Sequence, residues 1–157
     1  MSKYGAKRTV SHRRKPPTAR EDAEQSALFE WAEWSENMHP ELALMLHIPN
    51  GGHRHKATAV RLKREGVKAG VPDIYLPVPR GAYAGLWIEL KSAKGSLSEL
   101  QRWWVARLRG QGYAVGVCYG WEQARDAIVE YLSGAKWDTF RQDLAEWVAW
   151  KRNLTKN

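Results

Sequence analysis

The chain has 157 residues, enough for one domain with one core, and its hydrophobic content of 43% is that of an ordinary globular protein. It carries 25 Lys+Arg against 17 Asp+Glu, a formal net charge of +8. One cysteine, Cys118, excludes an intrachain disulfide framework and a cysteine-built zinc site. No apolar stretch approaches the ~20 residues of a membrane span, and the basic N-terminus lacks the apolar segment of a secretory signal. A cytoplasmic setting is expected, with no membrane partner.

Residues 1–19 read as a flexible basic arm. Residues 1–20 hold 7 bases and no acid (Lys3, Lys7, Arg8, Arg13, Arg14, Lys15, Arg20), which leaves the remainder close to neutral at 18 bases against 17 acids. Pro16-Pro17 blocks helix, and Thr18 with Glu21 has capping-box spacing. A helix is expected from Ala19 to about Asn37, with Ala27, Leu28, Trp31 and Trp34 as its apolar stripe. Leu42 to Ile48 reads as a short buried strand, followed by the turn Pro49-Asn50-Gly51-Gly52. Ala57 to Glu65 reads as a basic helix stopped by Gly66.

Gly70-Val71-Pro72-Asp73 leads into a strand, Ile74–Val78, and Leu86–Lys91 is the next, so the two form a hairpin across residues 79–85. Ser98 caps a helix from about Glu99 to Arg109, ended by Gly110. Tyr113–Tyr119 is a strand, with Cys118 a small buried residue within it. Trp121–Leu132 is a helix with Ala124, Ile128 and Val129 inward. Trp137 to Lys151 reads as a last amphipathic helix. The expected fold is α/β, a mixed sheet flanked by helices. Its expected divisions are a 1–19 arm, a 20–133 domain and a 134–157 C-terminal helix and tail.

The chemistry concentrates on the hairpin. Side chains alternate along a strand, so Glu89 and Lys91 share a face with Trp87 while Ile88 and Leu90 face the core. Pairing the strands brings Asp73 to Glu89. Two carboxylates with a backbone carbonyl, that of Leu90, form a hard oxygen site suited to Mg²⁺ or Mn²⁺. Phosphodiester hydrolysis needs the phosphate neutralised, a water activated and the leaving oxygen supported. A divalent ion serves the first two needs, and Lys91 can orient the water or stabilise developing charge. Glu24 would reach in from the first helix as a further ligand. An E-x-K on a strand is usually a solvated face; P-D, fifteen intervening residues and then E-x-K on an apolar strand, with a basic region upstream, points to a nuclease.

The frame G-V-P-D (Gly70–Asp73), I-E-L-K (Ile88–Lys91) and L-S-x-x-Q-x-x-W (Leu97–Trp104) resembles the virus-type replication-repair nuclease domain, VRR-NUC, of the PD-(D/E)xK nuclease group. The resemblance runs roughly from Glu21 to Leu132 and takes in E-x-x-E-Q (Glu21–Gln25) and I-P-N-G-G (Ile48–Gly52). It implies a restriction-endonuclease-like αβββαβ core with an added C-terminal helix. It implies catalytic roles for Glu24, Asp73, Glu89, Lys91 and Gln101, with Glu21 an alternative to Glu24. It further implies a Mg²⁺/Mn²⁺-dependent DNA endonuclease of compact, phage-encoded type, in the host cytoplasm, acting as a homodimer on branched DNA such as four-way junctions. No organic cofactor is expected.

Candidate DNA contacts are Asn50, Gly51, Gly52, His53, Arg54, His55, Lys56, Lys63, Arg64 and Lys68, with Arg13, Arg14 and Lys15 of the arm. Six bases and one acid lie between His53 and Gly70. Such patches concentrate polyanions, and phosphate contacts make binding salt-dependent. The H-x-H pair His53/His55 is also a zinc alternative, but no second pair supports it. The nine tryptophans suit core or dimer packing better than base stacking. Rival readings are a non-catalytic DNA-binding module of the same fold, and RNA cleavage.

Overall fold

The computed structural model of the protein describes residues 19–49 and 56–134. The expected basic arm up to residue 18, the Thr18 cap, Asn50–Gly52 of the expected turn and the helix expected at 137–151 lie outside these residues.

Helix α1 (Ala19–Ser35) buries Leu28, Ala32 and Ser35, a stripe at i, i+4 and i+7. Trp31 packs beside that stripe. Trp34 does not. Six residues on from Leu28 it lies about 120° round the helix axis, and it is 85% exposed.

The expected strand over 42–48 is a 3-10 helix, Pro40–Leu44, followed by a two-residue strand β1, Leu46–His47. Proline at the first helical position favours the turn. A 3-10 helix eclipses residues three apart, and Leu42 and Met45 are the two buried here, while Leu44 and Leu46 are exposed. The apolar run therefore contains a period of three, and a buried strand was the wrong reading of it.

Helix α2 (Lys56–Arg64) ends on Gly66, as expected: Gly66 N donates to Lys63 O and Val67 N to Leu62 O. Strands β2 (Ile74–Leu76) and β3 (Leu86–Lys91) form the hairpin, closed by a bridge between Arg80 and Tyr83. Arg80 ties this turn to its surroundings, donating to Leu132 O at 3.1 Å and to Glu41. Helix α3 (Glu99–Gly110) ends later than expected. Gly112, at φ +84°, supplies the left-handed residue, and Tyr113 N reaches Leu108 O at 3.1 Å. Strand β4 (Ala114–Tyr119) and helix α4 (Trp121–Leu132) complete the described chain.

The sheet order is β1-β2-β3-β4. The first two pairings are antiparallel and β3–β4 is parallel, with α3 as the crossover. This is the expected mixed sheet, with α2 inserted between β1 and β2. Helices α1 and α4 cover one face of the sheet and α3 packs on β4. Leu86, Ile88 and Leu90 enter the core with Cys118, Ala124 and Ile128. Each aliphatic chain buried this way contributes about 1.5–3 kcal/mol. Among the described residues, no helix is long and apolar enough to cross a membrane.

Candidate active site

Strand alternation places Glu89 and Lys91 away from the apolar core, on the face toward α3. There Lys91 Nζ lies 2.8 Å from Glu89 Oε1. The same oxygen accepts from Gln101 Nε2 on α3. Glu89 is 1% exposed. A carboxylate buried so deeply is costly unless charge and hydrogen bonds replace its water. Lys91 and Gln101 do so here.

Gln101 is held for this task. Its Oε1 accepts from Ser98 N at 2.9 Å, and its own N–H donates to Ser98 Oγ at 3.2 Å, a complete capping box. With the amide oxygen engaged by the helix start, the NH₂ end points at Glu89. The sequence offers Ser98 as a cap, and the family resemblance gives Gln101 a catalytic role, but neither links the two residues. The S-x-x-Q spacing carried that signal.

Asp73 precedes β2. The β2–β3 register pairs Ile74 with Ile88; continued by one residue it sets Asp73 opposite Glu89. Opposed residues on antiparallel strands share a face. Asp73 Oδ2 accepts from Leu90 N at 3.0 Å, so the carboxylate sits on the edge of β3 beside Glu89. In an extended strand the N–H and C=O of one residue point the same way, so the Leu90 carbonyl also faces Asp73. Behind it, Asp73 O accepts from Ile48 N at 2.7 Å and contacts His47 Nδ1 at 3.2 Å, which anchors the aspartate to β1.

The glycine of G-V-P-D has a steric reason. Gly70 has φ +84°, and a Cβ there would lie 2.6 Å from Leu100 Cγ and 3.1 Å from Trp104 Cδ1. Trp104 Nε1 donates to Ala69 O at 3.0 Å. Helix α3 thus clamps the segment that delivers Asp73, and Pro72 is fully buried.

Glu24 stands differently. Its Oε2 accepts from Trp121 N at 2.9 Å, capping the start of α4. Gly120, just before it, donates to Lys91 O at 3.0 Å, so Glu24 braces the end of β3 through the β4–α4 junction. Sequence reading missed this partner, because a backbone amide 97 residues away leaves no mark in a local motif. Among the described residues, no three His, Cys, Asp or Glu side chains converge as a metal cluster. The site therefore brings Asp73, Glu89, Lys91, Gln101 and the Leu90 backbone together, with Glu24 at the end of β3.

Beside this face lies an aromatic row. Tyr75 stacks on Trp87 with centroids 4.2 Å apart, and Tyr113 meets both edge-on. Burial, and then the neighbouring Tyr113, push the Tyr75 phenol above its ordinary value.

Of the expected DNA contacts, Lys63, Arg64 and Lys68 are exposed on and after α2. Lys56 opens that helix, but its side chain is outside the description. Asn50, Gly51, Gly52, His53, Arg54, His55, Arg13, Arg14 and Lys15 are also outside it.

The VRR-NUC domain family model matches residues 19–122. A solved structure described as a VRR_NUC domain protein is similar, with a TM-score of 0.62 and 28% sequence identity over 76% of this chain and 93% of that one. No curated protein is similar enough to add to this. The matched span runs from the start of α1 to the start of α4 and contains every residue of the site just described, so the fold is that of a nuclease-type, DNA-processing domain. The chain belongs to the VRR-NUC domain family.

Proposed function

We propose that this protein is a divalent-metal-dependent DNA endonuclease that hydrolyses phosphodiester bonds, selects branched DNA such as four-way junctions, and works as a homodimer. The observation that carries the nuclease reading is the convergence on Glu89: Asp73 opposite it in register, with Lys91 and Gln101 on its Oε1.

The donor set fits Mg²⁺ or Mn²⁺. Asp73, Glu89 and the Leu90 carbonyl offer hard oxygens only, and Mg²⁺ is commonly held by one or two carboxylates together with water and substrate phosphate. A three-carboxylate cage is not required. When bound, such an ion supplies Lewis acidity and a more acidic water. Glu24, held on Trp121 N at the end of β3, would serve as a further ligand only by turning from that amide toward the ion. Lys91 keeps one donor on Glu89 and has others for the attacking water and a phosphate oxygen. Gln101 keeps Glu89 in one rotamer. The exposed cations Lys63, Arg64 and Lys68 draw in the DNA backbone, which positions the duplex without reading sequence. Junction choice and the homodimer rest on the family resemblance; a two-fold dimer suits paired cuts in a symmetric junction.

The test is cleavage of linear, flapped, forked and four-way DNA, and of matching RNA, with Mg²⁺ or Mn²⁺. Asp73→Asn and Glu89→Gln should abolish cutting while DNA binding persists. Wild-type protein that binds DNA yet cuts nothing with either ion is a binding module instead. Light scattering at several concentrations checks the dimer.

A further inference from the structure

A shallow cleft of about 300 Å³ opens next to the candidate site, lined by Ile48, Pro49, Glu65, Gly66, Val67, Lys68 and Val71. Its walls join the site covalently and by hydrogen bonds. Val71 lies two residues before Asp73, and Ile48 N donates to Asp73 O at 2.7 Å. The wall is also braced from outside, since Trp104 donates to Ala69 O and Gly70 lies tight under Leu100. The wall through Ala69, Gly70 and Val71 is thus held in place.

Its chemistry is specific. Ile48, Pro49, Val67 and Val71 give apolar walls, while Glu65 and Lys68 supply one carboxylate and one ammonium. The volume stands at the low end of small-ligand clefts, too small for a duplex segment and suited to one planar ring system. The approach to it is cationic, with exposed Lys63 and Arg64 on α2 and Lys68 itself. An apolar slot with a polar edge, reached through phosphate-attracting charge and set beside two carboxylates, matches one nucleotide.

We infer that this cleft receives a single unpaired nucleobase of the DNA substrate, adjoining the phosphate presented to Asp73 and Glu89. The inference rests on the nuclease reading above and adds the feature of the substrate that is recognised. A base in the slot cannot be paired. Extracting one from intact duplex costs a few kcal/mol, and least where it is already unstacked. Strands at a branch, flap or bulge meet that condition, so shape selection follows from the cleft without base-specific contacts.

The experiment is binding of the intact wild-type chain, without divalent metal, to duplex DNA carrying one unpaired 2-aminopurine, compared with the same duplex fully paired. Among the described residues the cleft lining has no aromatic side chain, so a base that leaves the stack for it should brighten. The unpaired substrate should bind about tenfold tighter than the paired one, a difference of the size one well-placed group supplies. Val67→Trp, which fills the cleft, should remove both the brightening and the preference. Lys68→Ala, a surface change that leaves folding alone, should reduce the preference and keep the brightening. Equal affinity for the two duplexes, or a preference that survives Val67→Trp in a protein with wild-type melting, overturns the inference. Because no metal and no cleavage enter, the result stands apart from the nuclease reading. Cutting without base capture sinks the cleft alone; base capture without cutting sinks the nuclease alone.

Discussion

Gln101 donates its side-chain NH₂ to Glu89 Oε1 while its amide oxygen accepts from Ser98 N, so the start of α3 and the buried carboxylate of β3 share one side chain. Removing the two functions separately distinguishes them. Ser98→Ala takes away half of the cap and should cost about 1 kcal/mol. Gln101→Leu takes away the other half, the acceptor for Ser98 N, and strips a donor from a buried carboxylate, and should cost about 2–3 kcal/mol. Urea unfolding reads the difference. Cleavage should fall by about tenfold to a hundredfold in Gln101→Leu, as for other residues that orient ligands, and little in Ser98→Ala. Identical behaviour of the two variants would reduce Gln101 to a helix cap.

Lys91 and Glu89 form an ion pair with side chains 13% and 2% exposed. Breaking such a pair from one side leaves a buried charge, at about 3 kcal/mol or more. Lys91→Met should therefore be both inactive and destabilised. Adding Glu89→Gln to it should recover much of the stability and none of the activity. Melting curves beside single-turnover cleavage separate the structural from the chemical role.

Gly70→Ala places a methyl group 2.6 Å from Leu100 Cγ at φ +84°. The left-handed backbone costs about 1–2 kcal/mol, and the crowding about 1–3 kcal/mol more. The double variant with Leu100→Ala should relieve the crowding and leave the backbone part. Denaturant midpoints measure both.

Glu24→Gln keeps an oxygen to accept from Trp121 N and removes the charge. Stability should stay within about 0.5 kcal/mol, whereas Glu24→Ala should lose about 1 kcal/mol with the cap. As a further ligand, Glu24 predicts that Glu24→Gln cuts at least about tenfold more slowly and needs more Mg²⁺ for its half-maximal rate. Wild-type cutting would leave Glu24 as the brace of α4 alone.

Tyr131 is buried, and its hydroxyl donates to Val78 O at 2.6 Å. Burial raises its pKa above the ordinary 10.0, opposed in part by Arg80. The folded chain thus holds the phenol neutral, and the unfolded chain releases the proton first. Its contribution is complete below pH 10.0 and is lost as pH rises beyond that. Tyr131→Phe should cost about 1–3 kcal/mol near neutrality, because Val78 O loses its donor, and should flatten the alkaline decline. Urea midpoints from pH 8 to 11 test it.

Much of this protein is legible in its residues because the signals are local. Alternation along Leu86–Lys91 separates Ile88 and Leu90 from Glu89 and Lys91, and the structure keeps that separation. Gly66 stops α2 through bonds between residues five or fewer apart, and Ser98 starts α3 the same way. Local sequence misled where two periods compete. Leu42 to Ile48 is apolar enough for a strand, yet Pro40 and the spacing of Leu42 and Met45 favour a 3-10 turn. Trp34 counted as apolar at nearly helical spacing, but the packed stripe runs through Ala32 and Ser35.

Tertiary structure decided what no window of sequence contains. It turned Gln101 onto Glu89 and set Glu24 against Trp121. It also folded Ile48 and Val71 into one cleft wall beside Asp73. Strand alternation and helix caps act over a few residues, so the chain encodes them directly. Hydrogen bonds between elements tens of residues apart exist only after the sheet closes and its register selects who meets whom.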